Sequence, residues 1–435
     1  MSSLGLNIVP GLLSCIYGRP LLRSGLRPGL DDALVPVPRT ATTTVHDLLK
    51  VQDTGRPSVG AGMSAGLAPV ASSAAVERLR AILTEAVQRH ATDIHIRAGD
   101  VVYARIAGEL VPFDTGVLTA LNTYEMTMHI LATSPRAPDI DEVHDHSGPW
   151  SAPGIGRFRL SLLKQRSSFM IVLRVIPDTL PTFASLDLPA VLAPIALSDF
   201  GIVLVAGTPG AGRSSTIAAF VNHLNTKSDR RRHVVTVEQS LRFLHKNHTC
   251  AVTQRELGID TESYLSGVRA AMEQDADVIV IGDLSTPELV ELAVRSAEQG
   301  RLVIAKVRAN DTSAAIRNLL ANFSPDRQDS ARLHLSELLR GVVAQRLVPR
   351  TDSRGRIVVA EVMLMTPSVR DVLTDAGRLS ELRNTLSEGR AQYGTQTFDQ
   401  QLADRVIAGQ VSFEVAVTLA TNSLDFELQL RGLRR

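Results

Sequence analysis

Aromatic side chains are scarce in this chain, since only 4% of its 435 residues are Phe, Trp or Tyr. This scarcity argues against the base-stacking surfaces with which proteins hold single-stranded nucleic acids. The formal net charge is only +1, so no excess of one sign draws the chain as a whole toward nucleic acid or anionic lipid. We therefore expect no nucleic-acid partner.

Cysteine and long apolar runs are also nearly missing. Cys15 and Cys250 are the only two cysteines, too few for a disulfide framework or a four-cysteine zinc site. No apolar run approaches the roughly 20 residues that a membrane-spanning helix needs. With 44% hydrophobic and 21% charged residues, the composition is that of an ordinary globular protein. These features favour a cytoplasmic protein of two or three domains.

A glycine-rich loop is the clearest motif that is present. The apolar residues 201–206 lead into it, and its spacing is that of a phosphate-binding P-loop, G-x-x-x-x-G-K-[ST]. Glycines let backbone N–H groups face inward, and the helix that follows adds partial positive charge, so such a loop suits phosphate. Ser214 is the predicted Mg²⁺ ligand. The residues predicted to bind the nucleotide are Gly207, Thr208, Pro209, Gly210, Ala211, Gly212, Arg213, Ser214 and Ser215.

Arg213 stands where the P-loop pattern has lysine. Lysine is a compact point charge on a slim stem, whereas arginine is a wide planar fork. The substitution keeps the positive charge but not the geometry that fits between two phosphate groups. It therefore predicts weakened binding and a larger loss of transition-state stabilisation.

The chain divides by pattern into a leader and three further parts. Residues 1–75 are rich in Gly, Pro, Ser, Thr and Ala, which predicts a disordered or weakly ordered leader, with Met63 as an alternative start. Residues 76–183 predict a small α+β domain with helices at 76–90 and 118–131, strands at 93–96, 101–106, 156–163 and 169–176, and a turn region at 148–156.

Residues 186–373 alternate nearly all-apolar strands with helices. This pattern predicts a parallel β-sheet that is covered on both faces. Helical patterns dominate from residue 331 onward, apart from a strand at 357–365. Residues 374–435 therefore form a predicted helical C-terminal region.

Several further motifs resemble the retraction ATPases of type IV pili, and they occur in order from residue 76 to the C-terminus. They include Thr-Asp-Ile-His-Ile-Arg-Ala-Gly at 92–99, Gln-Arg-Glu at 254–256 and Tyr-Gly-Thr-Gln-Thr-Phe-Asp at 393–399. The resemblance implies the secretion ATPase superfamily, with a PAS-like N-terminal domain and a RecA-like core that binds ATP and Mg²⁺. It also implies a hexamer or a mixed ring with a paralogous retraction ATPase, peripheral at the inner membrane through the pilus platform protein.

The family's catalytic signatures are altered in this chain. The family's acidic box, I-E-D-P-I-E-F, matches Val-Glu-Gln-Ser-Leu-Arg-Phe at 237–243. The resemblance makes Glu238 a retained catalytic carboxylate and places Arg242 where the family has its general base. A guanidinium does not act as a general base at physiological pH.

The remaining signatures are partly retained. The family's D-I-I-L-V-G-E-M-R-D matches residues 277–286, so Asp283 stands where the family has a glutamate and is a further candidate for catalysis and for Mg²⁺. The family's G-H-L-V-F-G-T-L-H-T matches residues 300–309, in which both histidines are arginines. Arg157, Arg159 and Arg174 match family arginines that face the nucleotide, although structural ion pairs are an equally open role for them.

Two functions follow from these observations. The altered positions are those expected to act on the γ-phosphate of ATP, whereas the motifs that build the fold are still recognisable. This contrast favours a retraction ATPase-like protein that binds ATP in a hexameric ring, with reduced or absent hydrolysis, and modulates a competent motor. The alternative is a fully active ATP-driven pilus retraction or secretion motor with an altered catalytic site.

Overall fold

The computed structural model describes residues 72–134, 138–352 and 355–433. The predicted leader at 1–75, with the alternative start at Met63, therefore lies almost wholly outside the described residues. Within the described residues, no helix combines the length and apolar character required to cross a membrane.

The first part of the chain builds an antiparallel sheet that is covered by two helices. Its elements are α1 (Ser73–Gln88), β1 (Asp93–Arg97), β2 (Tyr103–Ile106), β3 (Glu109–Pro112), α2 (Ala120–Thr133), β4 (Asp145–Ala152), β5 (Gly156–Gln165) and β6 (Ser168–Ile176), with a 3₁₀ helix at Ile140–Glu142. The strand order is β3-β2-β1-β6-β5-β4. The Ser72 side chain caps α1 by accepting a hydrogen bond from the Ala75 N–H. The apolar faces of α1 and α2 and one face of the sheet share a core.

The second part builds a seven-stranded sheet. Its first elements are α3 (Leu192–Ala196), β7 (Gly201–Ala206), α4 (Arg213–Lys227), β8 (His233–Glu238), β9 (Ala251–Glu256), α5 (Tyr264–Glu273), β10 (Val278–Ile281), α6 (Pro287–Glu298) and β11 (Leu302–Val307). Next come α7 (Thr312–Leu320), α8 (Gln328–Leu338), β12 (Leu339–Pro349), β13 (Arg356–Leu364) and α9 (Pro367–Thr374), with a 3₁₀ helix at Pro325–Arg327. The last helices are α10 (Leu382–Glu388), α11 (Arg390–Tyr393), α12 (Phe398–Ile407), α13 (Phe413–Leu419) and α14 (Ser423–Leu433), after a 3₁₀ helix at Leu379–Glu381.

The predicted parallel sheet is confirmed. Its strand order is β13-β12-β7-β11-β10-β8-β9, and all pairs are parallel except β12 with β13. Every residue of β7 and of β10 is buried, because separate hydrophobic layers pack on the two faces of the sheet. Parallel strands end at one edge, so the loops after β7, β8, β10 and β11 meet there.

Two predictions of local structure are wrong. The predicted turn at 148–156 is mostly strand β4, whose Gly148, Trp150 and Ala152 face the core. Pro149 is tolerated because β4 is an edge strand, where a missing N–H breaks no interior hydrogen bond. The predicted helical region after residue 331 contains β12, which pairs with β7 on one side and β13 on the other. Long-range pairing overrides local propensity there.

Candidate functional site

A cleft of about 640 Å³ lies at the carboxyl edge of the parallel sheet. Its lining in the second part of the chain consists of the P-loop, the end of β8 with the turn that follows, the start of α5, the residues after β10, the end of β11, Leu347 of β12 and Arg356 of β13. The first part of the chain closes the opposite side. The charged lining residues are Asp93, Arg159, Arg174, Arg213, Glu238, Arg242, Asp283, Lys306, Arg308 and Arg356.

The P-loop has the conformation that its glycines predict. Gly212 has φ +88° and is the N-cap of α4, so residues 209–215 line the cleft at the start of that helix. Any Cβ at Gly212 would lie 3.1 Å from Nε2 of Gln345, and one at Gly207 would lie 2.9 Å from the Gln345 carbonyl oxygen. Gly207 and Thr208 support the loop but are not part of the cleft lining. The backbone cradle and the helix N-terminus fit a phosphate group.

Gln345 of β12 holds this loop from behind, and sequence reasoning missed it. Its Nε2 donates to the Ala211 carbonyl oxygen at 2.6 Å, and its Oε1 accepts from Oγ1 of Thr216 at 2.7 Å. Gln345 is only 1% exposed, so both bonds form away from water and are costly to break singly. The amide of Gln345 inside an apolar stretch was the feature of the sequence that could have indicated this role. It was missed because the segment was predicted to be helical.

Arg213, at the lysine position of the P-loop, is bonded to the protein's own backbone. Its Nη1 donates a hydrogen bond of 2.6 Å to the carbonyl oxygen of Val307, the last residue of β11. The guanidinium therefore joins the start of α4 to the neighbouring strand. One of its N–H donors is thus bonded to the protein's own backbone.

Glu238 is the last residue of β8, and Arg242 lies on the turn that follows. Burial raises the pKa of Glu238, and this effect is opposed by the charge of Lys306 and by a hydrogen bond from Oγ1 of Thr236. Arg242 also lines the cleft and lies close enough to Glu238 for their charges to interact. The position that sequence comparison assigned to the general base therefore carries a cation beside the one retained carboxylate.

Asp283 follows β10 and lines the cleft, close enough to Arg213 of the P-loop for their charges to interact. One of its carboxylate oxygens lies 3.6 Å from Nη2 of Arg308, and its side chain is 22% exposed. The carboxylate is therefore accessible and already partly neutralised. In the described part of the chain, no three His, Cys, Asp or Glu side chains are grouped so that they could hold a metal ion. Any Mg²⁺ at Ser214 and Asp283 would need phosphate oxygens as further ligands.

The three arginines from the first sheet are placed differently from one another. Arg159 of β5 forms an ion pair with Glu256 of β9, so it ties the first sheet to the second. Arg174 of β6 pairs with Asp93 of β1 at 2.8 Å. Both arginines line the cleft, whereas Arg157 is exposed and is not part of the lining.

The side chain of Gln254 holds the loop that carries Arg242, and His245 on this loop resists protonation. The backbone N–H of His245 donates to Oε1 of Gln254 at 2.8 Å, and Nε2 of Gln254 donates to the Phe243 carbonyl oxygen at 3.0 Å. Nδ1 of His245 is buried and has no hydrogen-bond partner among the described residues. Burial lowers the pKa of His245 to about 4.

This histidine predicts a loss of stability in acid. In the unfolded chain His245 binds a proton below about pH 6.5, whereas in the folded chain it does so only below about pH 4. The unfolded state therefore binds more protons between these values, and unfolding becomes easier as the pH falls. Between pH 7.5 and 5, we expect the free energy of unfolding to fall by about 1–2 kcal/mol more in the wild type than in His245→Gln. Urea titrations at both pH values measure this difference. The exposed His248 gives the control, since His248→Gln should follow the wild type; equal slopes for all three proteins would refute the assignment.

The fold and the cleft define a P-loop protein with a parallel α/β core. Comparisons with known proteins specify the class. The family model described as "Type II/IV secretion system protein" matches residues 70–417. The chain therefore belongs to this family of secretion ATPases, and within it resembles the type IV pilus retraction ATPases.

Named relatives agree with this assignment. The type IV pilus ATPase PilU of Pseudomonas aeruginosa is 34% identical over 345 residues, which are 79% of this chain and 89% of PilU. The type IV pilus retraction ATPase PilT of the same organism is 28% identical over 335 residues, or 77% of this chain and 96% of PilT. A crystal structure of the pilus retraction motor PilT with bound ADP has a TM-score of 0.70 at 28% identity and covers 80% of this chain and 98% of that one. The predicted RecA-like core with a smaller PAS-like N-terminal domain is confirmed.

Proposed function

We propose that this protein binds ATP and Mg²⁺ in the cleft, works in a hexameric ring of a type IV pilus retraction machine, and hydrolyses ATP slowly or not at all. The observation that carries the proposal is the engagement of Arg213 with the Val307 carbonyl oxygen, at the site of the usual P-loop cation. The loop itself keeps the conformation that suits phosphate. ATP binding is therefore retained, whereas ATP hydrolysis is reduced or absent.

Binding would rest on groups that survive in the P-loop. The backbone N–H groups of residues 209–215 and the N-terminus of α4 would hold the phosphates. Ser214 and Asp283 would hold Mg²⁺ together with phosphate oxygens, and the ion would neutralise phosphate charge. Arg159 and Arg174 would contribute positive charge from the opposite wall of the cleft.

Hydrolysis would suffer because no free carboxylate stands at the family's base position. Arg242 carries a positive charge there, and Asp283 is paired with Arg308 at 3.6 Å. General base catalysis typically contributes about 10²- to 10⁴-fold to a rate. A protein that lacks general base catalysis is suited to act by binding and assembly. Its ring would consist of its own copies or be mixed with a competent paralogous motor. The ring would stand at the pilus platform, on the cytoplasmic side of the inner membrane.

A phosphate-release assay tests the proposal. We expect steady-state release from ATP by the purified wild type to equal that of Ser214→Ala and Arg213→Ala, while calorimetry detects ATP binding to the wild type with Mg²⁺ present. Ser214→Ala should bind at least about 10-fold more weakly, because it removes the hydroxyl that orients the ion. Turnover that disappears in both variants would contradict the low-hydrolysis proposal.

That contrary result would support the second candidate, an active motor with an altered site. One observation favours it: Glu238 and Asp283 line the same cleft as the P-loop. Burial raises the pKa of Glu238, which is a property of groups that exchange protons near neutral pH. Mutation of Glu238 to Gln would then abolish the turnover.

A further inference from the structure

Lys306 lies beside the P-loop, and no motif of the sequence assigned it a role. It is the penultimate residue of β11 and is paired in register with Val205 of β7, the strand that leads into the P-loop. Its neighbours Ala305 and Val307 pack into one hydrophobic layer. Side chains alternate along a strand, so Lys306 points to the other layer, which contains Val205 and the buried side of α4.

The ammonium group of Lys306 is directed into the cleft. Lys306 belongs to the lining together with residues 209–215. Burial lowers its pKa and Glu238 opposes that effect, while the charges of Arg213 and Arg242 add to it. Across the described parts of the chain, Nζ of Lys306 makes no hydrogen bond and no ion pair, although its stem is half-buried.

Arg213 and Lys306 are two cations side by side at this end of the cleft. Arg213 stands at the lysine position of the motif, yet its Nη1 is bonded to the carbonyl oxygen of Val307, the residue next to Lys306. This bond draws the end of β11 against the start of α4. The neighbouring ammonium of Lys306 is a cation of the cleft lining that stays available to a ligand.

We propose that Lys306 supplies the ammonium group that binds the β- and γ-phosphates of a nucleoside triphosphate, in place of the P-loop lysine that Arg213 has replaced. This inference rests on the proposed nucleotide binding and deepens it. A lysine is a compact point charge on a flexible stem, as in the P-loop lysine itself, whereas Arg213 has one of its donors already bonded to a carbonyl oxygen. Glu238 of β8 lies level with Lys306 across the sheet. Its negative charge compensates the positive charge of Lys306 while no nucleotide is bound.

Calorimetric titration with ATP, ADP and AMP tests the proposal on the full chain. We expect Lys306→Met, which keeps the length of the side chain and removes its charge, to bind ATP at least about 10-fold more weakly than the wild type. AMP affinity should change less than about 2-fold, because AMP lacks the phosphates in question. The matched variant Arg213→Met should lose less ATP affinity than Lys306→Met.

A rescue variant separates phosphate binding from a structural role. Arg213→Lys combined with Lys306→Met returns an ammonium to the P-loop position, so its ATP affinity should recover to within about 3-fold of the wild type. A lysine that merely stabilised Glu238 would not be rescued in this way. Circular dichroism checks that each variant folds, and Lys306→Gln carries the same expectation if Lys306→Met does not fold.

The outcomes that overturn the proposal are distinct from each other. If the wild type binds ATP and Lys306→Met binds it equally well, Lys306 has no phosphate role while the proposed nucleotide binding stands. Failure of the double variant to recover, with Lys306→Met weakened, would make Lys306 a structural residue. If the wild type itself binds no nucleotide, the proposed function fails and this inference fails with it.

Discussion

Arg213→Lys combined with Arg242→Glu is expected to raise the rate of phosphate release from ATP at least about 100-fold above the wild type, whereas Arg213→Lys alone is expected to leave it unchanged. The single variant returns an ammonium to the P-loop but leaves a guanidinium where the family has its base. The double variant supplies a carboxylate that accepts a proton from water, beside the retained Glu238. Steady-state phosphate release with saturating ATP and Mg²⁺ measures both.

The matched control for this result is Arg213→Lys combined with Arg242→Gln. It removes the same positive charge and adds no base, so it should remain as slow as the wild type. Robust turnover in Arg213→Lys alone would show that Arg242 does not occupy a required position. Equal turnover in the Glu and Gln double variants would show that removal of the charge, rather than general base catalysis, explains the gain.

Arg159→Met is expected to lower the free energy of unfolding by about 2 kcal/mol or more. The carboxylate of Glu256 is buried, with the residue 5% exposed, and Arg159 is its ion-pair partner from the other sheet. Loss of the guanidinium leaves a buried charge to which, among the described residues, the Leu241 N–H alone still donates a hydrogen bond, at 3.2 Å. Urea denaturation monitored by circular dichroism measures the change.

Two further variants identify the cause of that loss. Arg159→Met with Glu256→Gln removes the uncompensated charge, so its stability should lie closer to the wild type than that of Arg159→Met. Arg378→Met breaks an exposed pair with Glu381 and should cost no more than about 0.5 kcal/mol. A loss in Arg159→Met no larger than in Arg378→Met would mean that the contact between the sheets does not stabilise the fold.

The Arg159–Glu256 pair also bears on the nucleotide role that the resemblance implied for the N-terminal arginines. Sequence comparison treated Arg157, Arg159 and Arg174 alike. Strand alternation does not separate them, because Arg157 and Arg159 are two residues apart on β5 and Arg159 is paired in register with Arg174, so all three face the same side of the sheet. Their positions along the strands decide which arginine meets Glu256 or Asp93. Their direct role toward a phosphate stays a proposal.

The sequence alone was sufficient for the elements that local pattern specifies. The P-loop was predicted because its glycines, at fixed spacing, require particular backbone conformations, as φ +88° at Gly212 illustrates. The parallel sheet was predicted because strands buried on both faces are apolar throughout. Strand β12 was missed because its assignment depends on β7 and β13, which are distant in the chain.

The tertiary structure alone decided which charged groups share the cleft. Arg213 and Val307 are 94 residues apart in the chain, and Arg159 and Glu256 are 97 apart. Motif reading located Arg213 and its altered neighbours but gave no role to Lys306, because no spacing rule links it to the P-loop. Side-chain periodicity is a property of neighbouring residues, whereas a binding site depends on strand order and register, which bring remote side chains to one edge of the sheet.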